Sequence, residues 1–165
     1  MWQFLRKDLN RMKSNLGADC PEHCRVTGNI PMAHVTSVDK SFEFYSLLGF
    51  ECLSRFSGND GVTNWSNLAC GNAKLMLARS SGPINAHEQA VLFYMYSANV
   101  SALREHLLKH GIPDAGVPDF EGQKDQPHPL VAPGVFTVVP RFFMPAGELR
   151  IHDPDGYVIL VGQLD

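Results

Sequence analysis

The side chains of this 165-residue sequence that could do chemistry fall into a few groups. Cys20, His23 and Cys24 place three zinc-competent ligands within five positions. A structural zinc site is completed by a second Cys or His pair, and none follows at that spacing, so this segment reads as a surface loop. Glu148, Arg150 and His152 alternate along a strand-like stretch, which puts a carboxylate, a guanidinium and an imidazole on one face. Such a row can contact a ligand or settle into an ion pair between Glu148 and Arg150. His34 stands alone and reads as a wall or rim histidine. Asp153 and Asp155 belong to a turn, and His87, His106, His110 and His128 to helix surfaces or loops. Cys52 and Cys70 sit among strand formers as small core thiols, with no base nearby in sequence to activate them. There is no G-x-S-x-G elbow, phosphate-binding Gly loop, H-E-x-x-H helix or dinucleotide fingerprint, so no residue is assigned a catalytic role.

Composition narrows the classes further. Fourteen Lys and Arg against 17 Asp and Glu give a net charge of −3, without the basic excess that a nucleic-acid partner requires. No apolar run approaches the roughly 18 residues that span a bilayer, which argues against a membrane partner. The N-terminal stretch lacks the apolar region of a secretory leader, so a cytoplasmic site with reduced thiols is expected.

Several elements must position these residues. Trp2, Leu5, Leu9, Met12 and Leu16 recur at helical spacing with basic residues between them, predicting an amphipathic helix over 1–17, docked on its own domain or a twin subunit. A linker over 18–29 leads to a body over 30–163. That body contains a repeat. Ile30 to Phe50 reads as strand, polar break and helix, and so does Leu92 to Ile112. Val38 and Val100 stand 62 residues apart, as do Gly49 and Gly111. Ser37 and Asn99 are matching N-caps, and the two glycines are matching helix stops. Strand material follows each helix: Glu51–Phe56, Thr63–Ala69 and Ala73–Ala78, then Val135–Val139, Gly147–Asp153 and Tyr157–Val161. Tight turns at Cys70-Gly71-Asn72 and Asp153-Pro154-Asp155-Gly156 close each set. Gly71 and Gly156 are 85 apart, so the second unit carries about 23 extra residues, within the proline-rich stretch 113–140. Module 1 spans about 30–80 and module 2 about 90–163, an α+β architecture of two tandem strand-helix-three-strand units.

The phrases Ser41-Phe42-Glu43-Phe44-Tyr45 running to Gly49-Phe50, and Asp153-Pro154-Asp155-Gly156-Tyr157, set in this repeat, resemble the vicinal-oxygen-chelate superfamily of glyoxalases, extradiol dioxygenases and bleomycin-resistance proteins. The resemblance implies that the tandem βαβββ modules form a curved mixed sheet around a cup-shaped cavity, often completed in a homodimer. It also implies that four cup-facing positions hold a metal in the metal-dependent members. Here those positions land on Ile30, Leu75, Leu92 and Leu160, whose hydrocarbon side chains offer a cation no lone pair. The expectation is therefore no metal and no cofactor.

If Leu92 faces the cup, so do Tyr94 and Tyr96, while Phe93 and Met95 face the helix. Joined by Trp65, with His34, Glu148 and Arg150 at the polar end, this lining suits a small, flat or partly aromatic organic molecule. The expected function is metal-free small-molecule binding or sequestration. The alternative is a metal-dependent lyase, isomerase or dioxygenase using a displaced set such as His34, Glu148 and His152. A scaffold with its cup packed shut, associating through the N-terminal helix, is a third reading.

Overall fold

The computed structural model describes residues 26–89, 91–118 and 132–164. The expected N-terminal helix, the Cys20, His23 and Cys24 group, His128 and the middle of the proline-rich stretch lie outside them. Chain order is β1 (Met32–Val35), α1 (Val38–Leu47), β2 (Glu51–Ser57), β3 (Thr63–Cys70), β4 (Ala73–Arg79), β5 (Leu92–Ser97), α2 (Val100–Lys109), β6 (Asp114–Gly116), β7 (Gly134–Phe136), β8 (Val139–Arg141), β9 (Met144–His152) and β10 (Val158–Gln163). Among the described residues this is a mixed α+β architecture with two α-helices and two sheets. No helix among the described residues is long and apolar enough to cross a membrane.

Both helices start and stop at the residues whose chemistry demands it. The Ser37 hydroxyl accepts from the Lys40 N–H, and the Asn99 amide oxygen from the Ala102 N–H at 2.9 Å. At the other end, the N–H of Phe50 reaches the Tyr45 carbonyl and that of Ile112 the Leu107 carbonyl, each at 3.1 Å. Gly49 and Gly111 take φ of +89° and +85° to make this closure, a conformation that a side chain would strain.

The first sheet has strand order β1-β4-β3-β2, and the second β5-β10-β9-β7-β6 with β8 also on β9. In each, the first strand runs parallel to the last, which runs antiparallel to the strand before it. One face of each sheet packs on its helix, and the core lies there, with Leu68, Leu75 and Leu77 in the first sheet and Leu149, Ile151 and Ile159 in the second fully or almost fully buried. The opposite, open faces carry the candidate site residues.

Two expectations are corrected here. Leu75 does not point to the open face; it is 1% exposed in the core, and Lys74 and Met76 flank it on the other side. The cause is turn length. Four residues separate the paired Ala69 and Lys74, but five separate His152 and Val158. Met32 pairs with Met76 and Tyr94 with Leu160, so Met76 is the counterpart of Leu160. The strand expected over Val135–Val139 is also interrupted, giving β7 and β8, which pair with β9 in succession. The described ends of the proline-rich stretch thus include the short strands β6 and β7 and the start of β8.

Candidate functional site

Strand β9 fixes the chemistry of the second sheet's open face. Leu149 and Ile151 point into the core, so the alternation sends Glu148, Arg150 and His152 to the other side. On β5, Leu92, Tyr94 and Tyr96 are exposed on that same face while Phe93 is buried against the helix side, as the sequence reading expects. Strand β10 lies between them, with Leu160 directly across from both Tyr94 and Arg150 and Gly162 across from both Tyr96 and Glu148.

Glu148 is 5% exposed, and its two oxygens are held from two sides. The Tyr94 phenol donates to Oε2 at 2.9 Å, and Arg141 Nε approaches Oε1 at 3.5 Å. A carboxylate this deep is tolerable only with such partners. Tyr94 reaches it by crossing over β10 at Gly162. A Cβ there would meet the Tyr94 phenol oxygen at 3.1 Å and Met144 Cε at 2.6 Å, so the missing side chain keeps the path open. Removal from water, then the Glu148 hydrogen bond and charge, push the Tyr94 phenol up to about 12.

Arg150 has a different environment. Its Nε donates to His152 Nε2 at 3.2 Å, which makes that imidazole nitrogen an acceptor. Its guanidinium carbon lies 5.6 Å from the Phe136 ring centre, and Phe136 meets the His152 ring edge-on at 5.0 Å. Burial lowers the Arg150 pKa. The expected Glu148–Arg150 ion pair is therefore replaced by Glu148–Arg141, and no carboxylate among the described residues lies within ion-pair reach of Arg150.

Above this floor, Phe142 and Phe143 form the tip between β8 and β9, their rings 5.0 Å apart and Phe142 95% exposed. Tyr94, Glu148, Leu160, Arg141 and the two phenylalanines line a pocket of about 520 Å³. Tyr96 packs on Tyr94 with ring centres 5.5 Å apart. The other expected residues lie elsewhere. His34 lines a separate pocket of about 550 Å³ with Met32, Asn85, Glu88 and Tyr157. Trp65 is half-buried on the first sheet, and Ile30, also half-buried, precedes β1. Leu92 and the buried Leu75 line a third pocket, about 340 Å³, with Pro31 and Lys74.

A divalent cation does not fit these residues. Ile30, Leu92, Leu160 and Met76, the open-face residue in place of Leu75, include no hard donor. Among the described residues no three His, Cys, Asp or Glu side chains converge, and His34 faces a different pocket from Glu148.

A second polar cluster joins the two halves of the chain. Asp153, fully buried, accepts from the Tyr45 hydroxyl at 3.0 Å and from the N–H groups of Asp155 and Tyr157, each at 2.9 Å. Burial nonetheless pushes its carboxyl up to about 6 and the Tyr45 phenol well above its ordinary value. Asp155 accepts from the Thr36 N–H at 3.1 Å and from the hydroxyls of Thr36 and Ser41. The turn that closes the second sheet thus docks on the N-terminal end of α1, a positioning role that sequence reasoning missed. Arg141, Phe136, Phe142 and Phe143 were also missed. Only the two phenylalanines carried a signal, since a two-residue hairpin tip ordinarily takes Gly or Asn.

No family model matches the chain, and no curated protein is similar to it in sequence. Solved structures are. A bleomycin-binding protein complexed with bleomycin is 16% identical, with 85% of this chain covering 100% of that one at a TM-score of 0.60. A bleomycin resistance determinant encoded on the transposon Tn5 is 16% identical over 85% of this chain and 99% of its own, at 0.61. A glyoxalase/bleomycin resistance protein from Streptomyces sp. CB03234 is 19% identical over 81% and 97%, at 0.53. The chain therefore has the fold of the bleomycin-binding and glyoxalase/bleomycin-resistance proteins, the vicinal-oxygen-chelate fold to which its Ser41–Phe50 and Asp153–Tyr157 phrases pointed.

Proposed function

We propose that this protein binds or sequesters a small, flat or partly aromatic organic molecule on the open face of the second sheet, without using a metal. The observation that carries the reading is the pocket over Tyr94 and Leu160. It has an apolar and aromatic lining beside a Glu148 that is already paired with Tyr94 and Arg141. Polar groups engaged in this way keep their geometry without a ligand, so binding spends little on ordering the site. Support at the level of fold comes from the bleomycin-binding protein and from TnmS3, an antibiotic binding protein, 18% identical at a TM-score of 0.55.

The wider arrangement proposed is two tandem βαβββ modules whose open faces make a cup, completed in a homodimer. The shared strand order supports the first part. Met32 and Phe56 on the first sheet, and Leu92 and Tyr96 on the second, support the second part: each is about half exposed or more, and a second copy would take them out of water. Cys52 and Cys70 are free thiols, compatible with a cytoplasmic site.

Metal analysis of protein purified without chelator, combined with fluorescence titration of the uncharged aromatic N-phenyl-1-naphthylamine, tests the reading. Saturable binding to protein that carries no stoichiometric divalent ion is expected. One tightly held divalent ion per chain would overturn it in favour of a metal-dependent lyase, isomerase or dioxygenase.

A further inference from the structure

The guanidinium of Arg150 is a charged group at this site that no carboxylate among the described residues balances. Both oxygens of Glu148 are engaged by Tyr94 and Arg141. The partners of Arg150 are an imidazole nitrogen of His152 and the ring of Phe136, and both are uncharged as they meet it. The two terminal nitrogens have no acceptor among the described residues. Removing a cation from water without a counterion is unfavourable, and the half-buried position of Arg150 imposes that penalty. The fold does not require it, because Asn67 occupies the equivalent position in the first sheet: it pairs with Met76 as Arg150 pairs with Leu160. Arg150 also stands beside the pocket in the sheet, since Leu160, part of the lining, is its direct cross-strand partner.

We propose that the molecule bound on this face carries an acidic group, a carboxylate, sulfonate or phosphate on an aromatic frame, and that the terminal nitrogens of Arg150 take its oxygens. The inference rests on the binding reading above and specifies its ligand class. A planar guanidinium with Nε already fixed presents its remaining N–H groups in the fork that matches two oxyanion oxygens. Phe136 beneath it and His152 beside it hold the fork in place.

Two probes with the same ring system separate this inference from the reading it rests on. 1-Anilinonaphthalene-8-sulfonate carries the acid, and N-phenyl-1-naphthylamine does not. Full-length wild type should bind the sulfonate at least about tenfold more tightly, as a charge-assisted pair at a desolvated site implies. Arg150→Met should abolish that preference while leaving affinity for the uncharged probe within about twofold. Arg150→Lys, which keeps the charge but loses the fork, should retain part of it. If both probes bind wild type equally and Arg150→Met changes neither, the acidic class is wrong while binding stands. If neither probe binds, the binding reading fails and this inference with it. Should Arg150→Met not fold, salt dependence in wild type decides. Raising sodium chloride from about 20 to about 500 mM should weaken the sulfonate several-fold and leave the uncharged probe no weaker, and an equal response of the two would overturn the proposal.

Discussion

The two sheets share a strand order and differ in what they carry on their open faces. Through the pairing registers, Trp65, Asn67 and Ala69 of β3 stand where Glu148, Arg150 and His152 stand on β9, and Met32 and His34 of β1 where Tyr94 and Tyr96 stand on β5. On the helix side the same correspondence joins Leu68 to Ile151, Leu75 to Ile159 and Leu77 to Val161, all aliphatic and at most 3% exposed. Core positions are tied to one chemical type because a cavity or a buried polar group there is costly. The open face has no such constraint. The charged cluster on the second sheet is therefore not a demand of the fold, and chemistry is to be sought where the two sheets diverge.

The closing turns diverge as well, and here the largest effect is expected. The turn after β3 is exposed at Gly71 and Asn72, whereas the one after β9 buries Asp153 beneath three donors. Asp153→Ala should lower the unfolding free energy by about 3–4 kcal/mol at pH 5, by leaving the Tyr45 hydroxyl and two N–H groups without acceptors. Asn72→Ala should stay within about 0.5 kcal/mol. Urea midpoints of both variants measure this, and equal losses would break the contrast between the turns.

The same carboxyl gives a pH signature. Its folded value of about 6 lies above the ordinary 3.8, so the folded chain holds this proton more tightly than the unfolded chain does. That stabilisation is fully present below about pH 4 and disappears as pH rises through 6, an effect on the order of 2–3 kcal/mol. Asp153→Asn keeps an acceptor oxygen and carries no charge. Its stability relative to wild type, read from denaturation midpoints, should therefore rise by that amount between pH 4 and 7.

Ligand binding provides the third contrast. Leu160→Gln places an amide in the pocket floor and should weaken the naphthylamine probe about tenfold, near 1.4 kcal/mol. Met76→Gln, at the equivalent position of the first sheet, should change it by less than about twofold. Comparable losses from the two substitutions would mean that the probe sits between the sheets rather than on the second one.

What was legible in the sequence follows from how local each signal is. The helices were readable because Ser37, Asn99, Gly49 and Gly111 act within one turn of their own positions. Strand alternation put Leu92, Tyr94 and Tyr96 on one face, and the family resemblance, through Leu92, indicated which face. Leu75 was misplaced because aligning the turns assumes equal lengths, and one extra residue in the second turn shifts every later position to the other face. Arg141 and Phe136 could not be found, since their role depends on β7 and β8 pairing with β9, a choice the intervening prolines conceal. Asp153 and Asp155 looked like ordinary turn residues because Tyr45, Thr36 and Ser41 lie more than a hundred residues away in the chain.

The finest distinction concerns Tyr94 and Glu148, whose first-sheet counterparts Met32 and Trp65 have no hydrogen bond to exchange. Tyr94→Phe alone should cost about 1–2 kcal/mol, because it removes a donor from the 5%-exposed Glu148 carboxylate, which keeps Arg141 on its other oxygen. Glu148→Gln keeps an acceptor but removes the charge shared with Arg141. A double-mutant cycle of the two should give a coupling of about 1 kcal/mol, whereas Met32→Leu with Trp65→Phe should couple by less than about 0.3 kcal/mol. Spectrophotometric titration adds a check independent of stability. Removing the neighbouring negative charge makes the phenolate easier to form, so Tyr94 should ionise below its wild-type value of about 12 in Glu148→Gln. A coupling as small as that of the first-sheet pair, with no movement of the tyrosine titration, would reduce the cluster to side chains that touch without depending on one another. The second sheet would then differ from the first in composition but not in organisation.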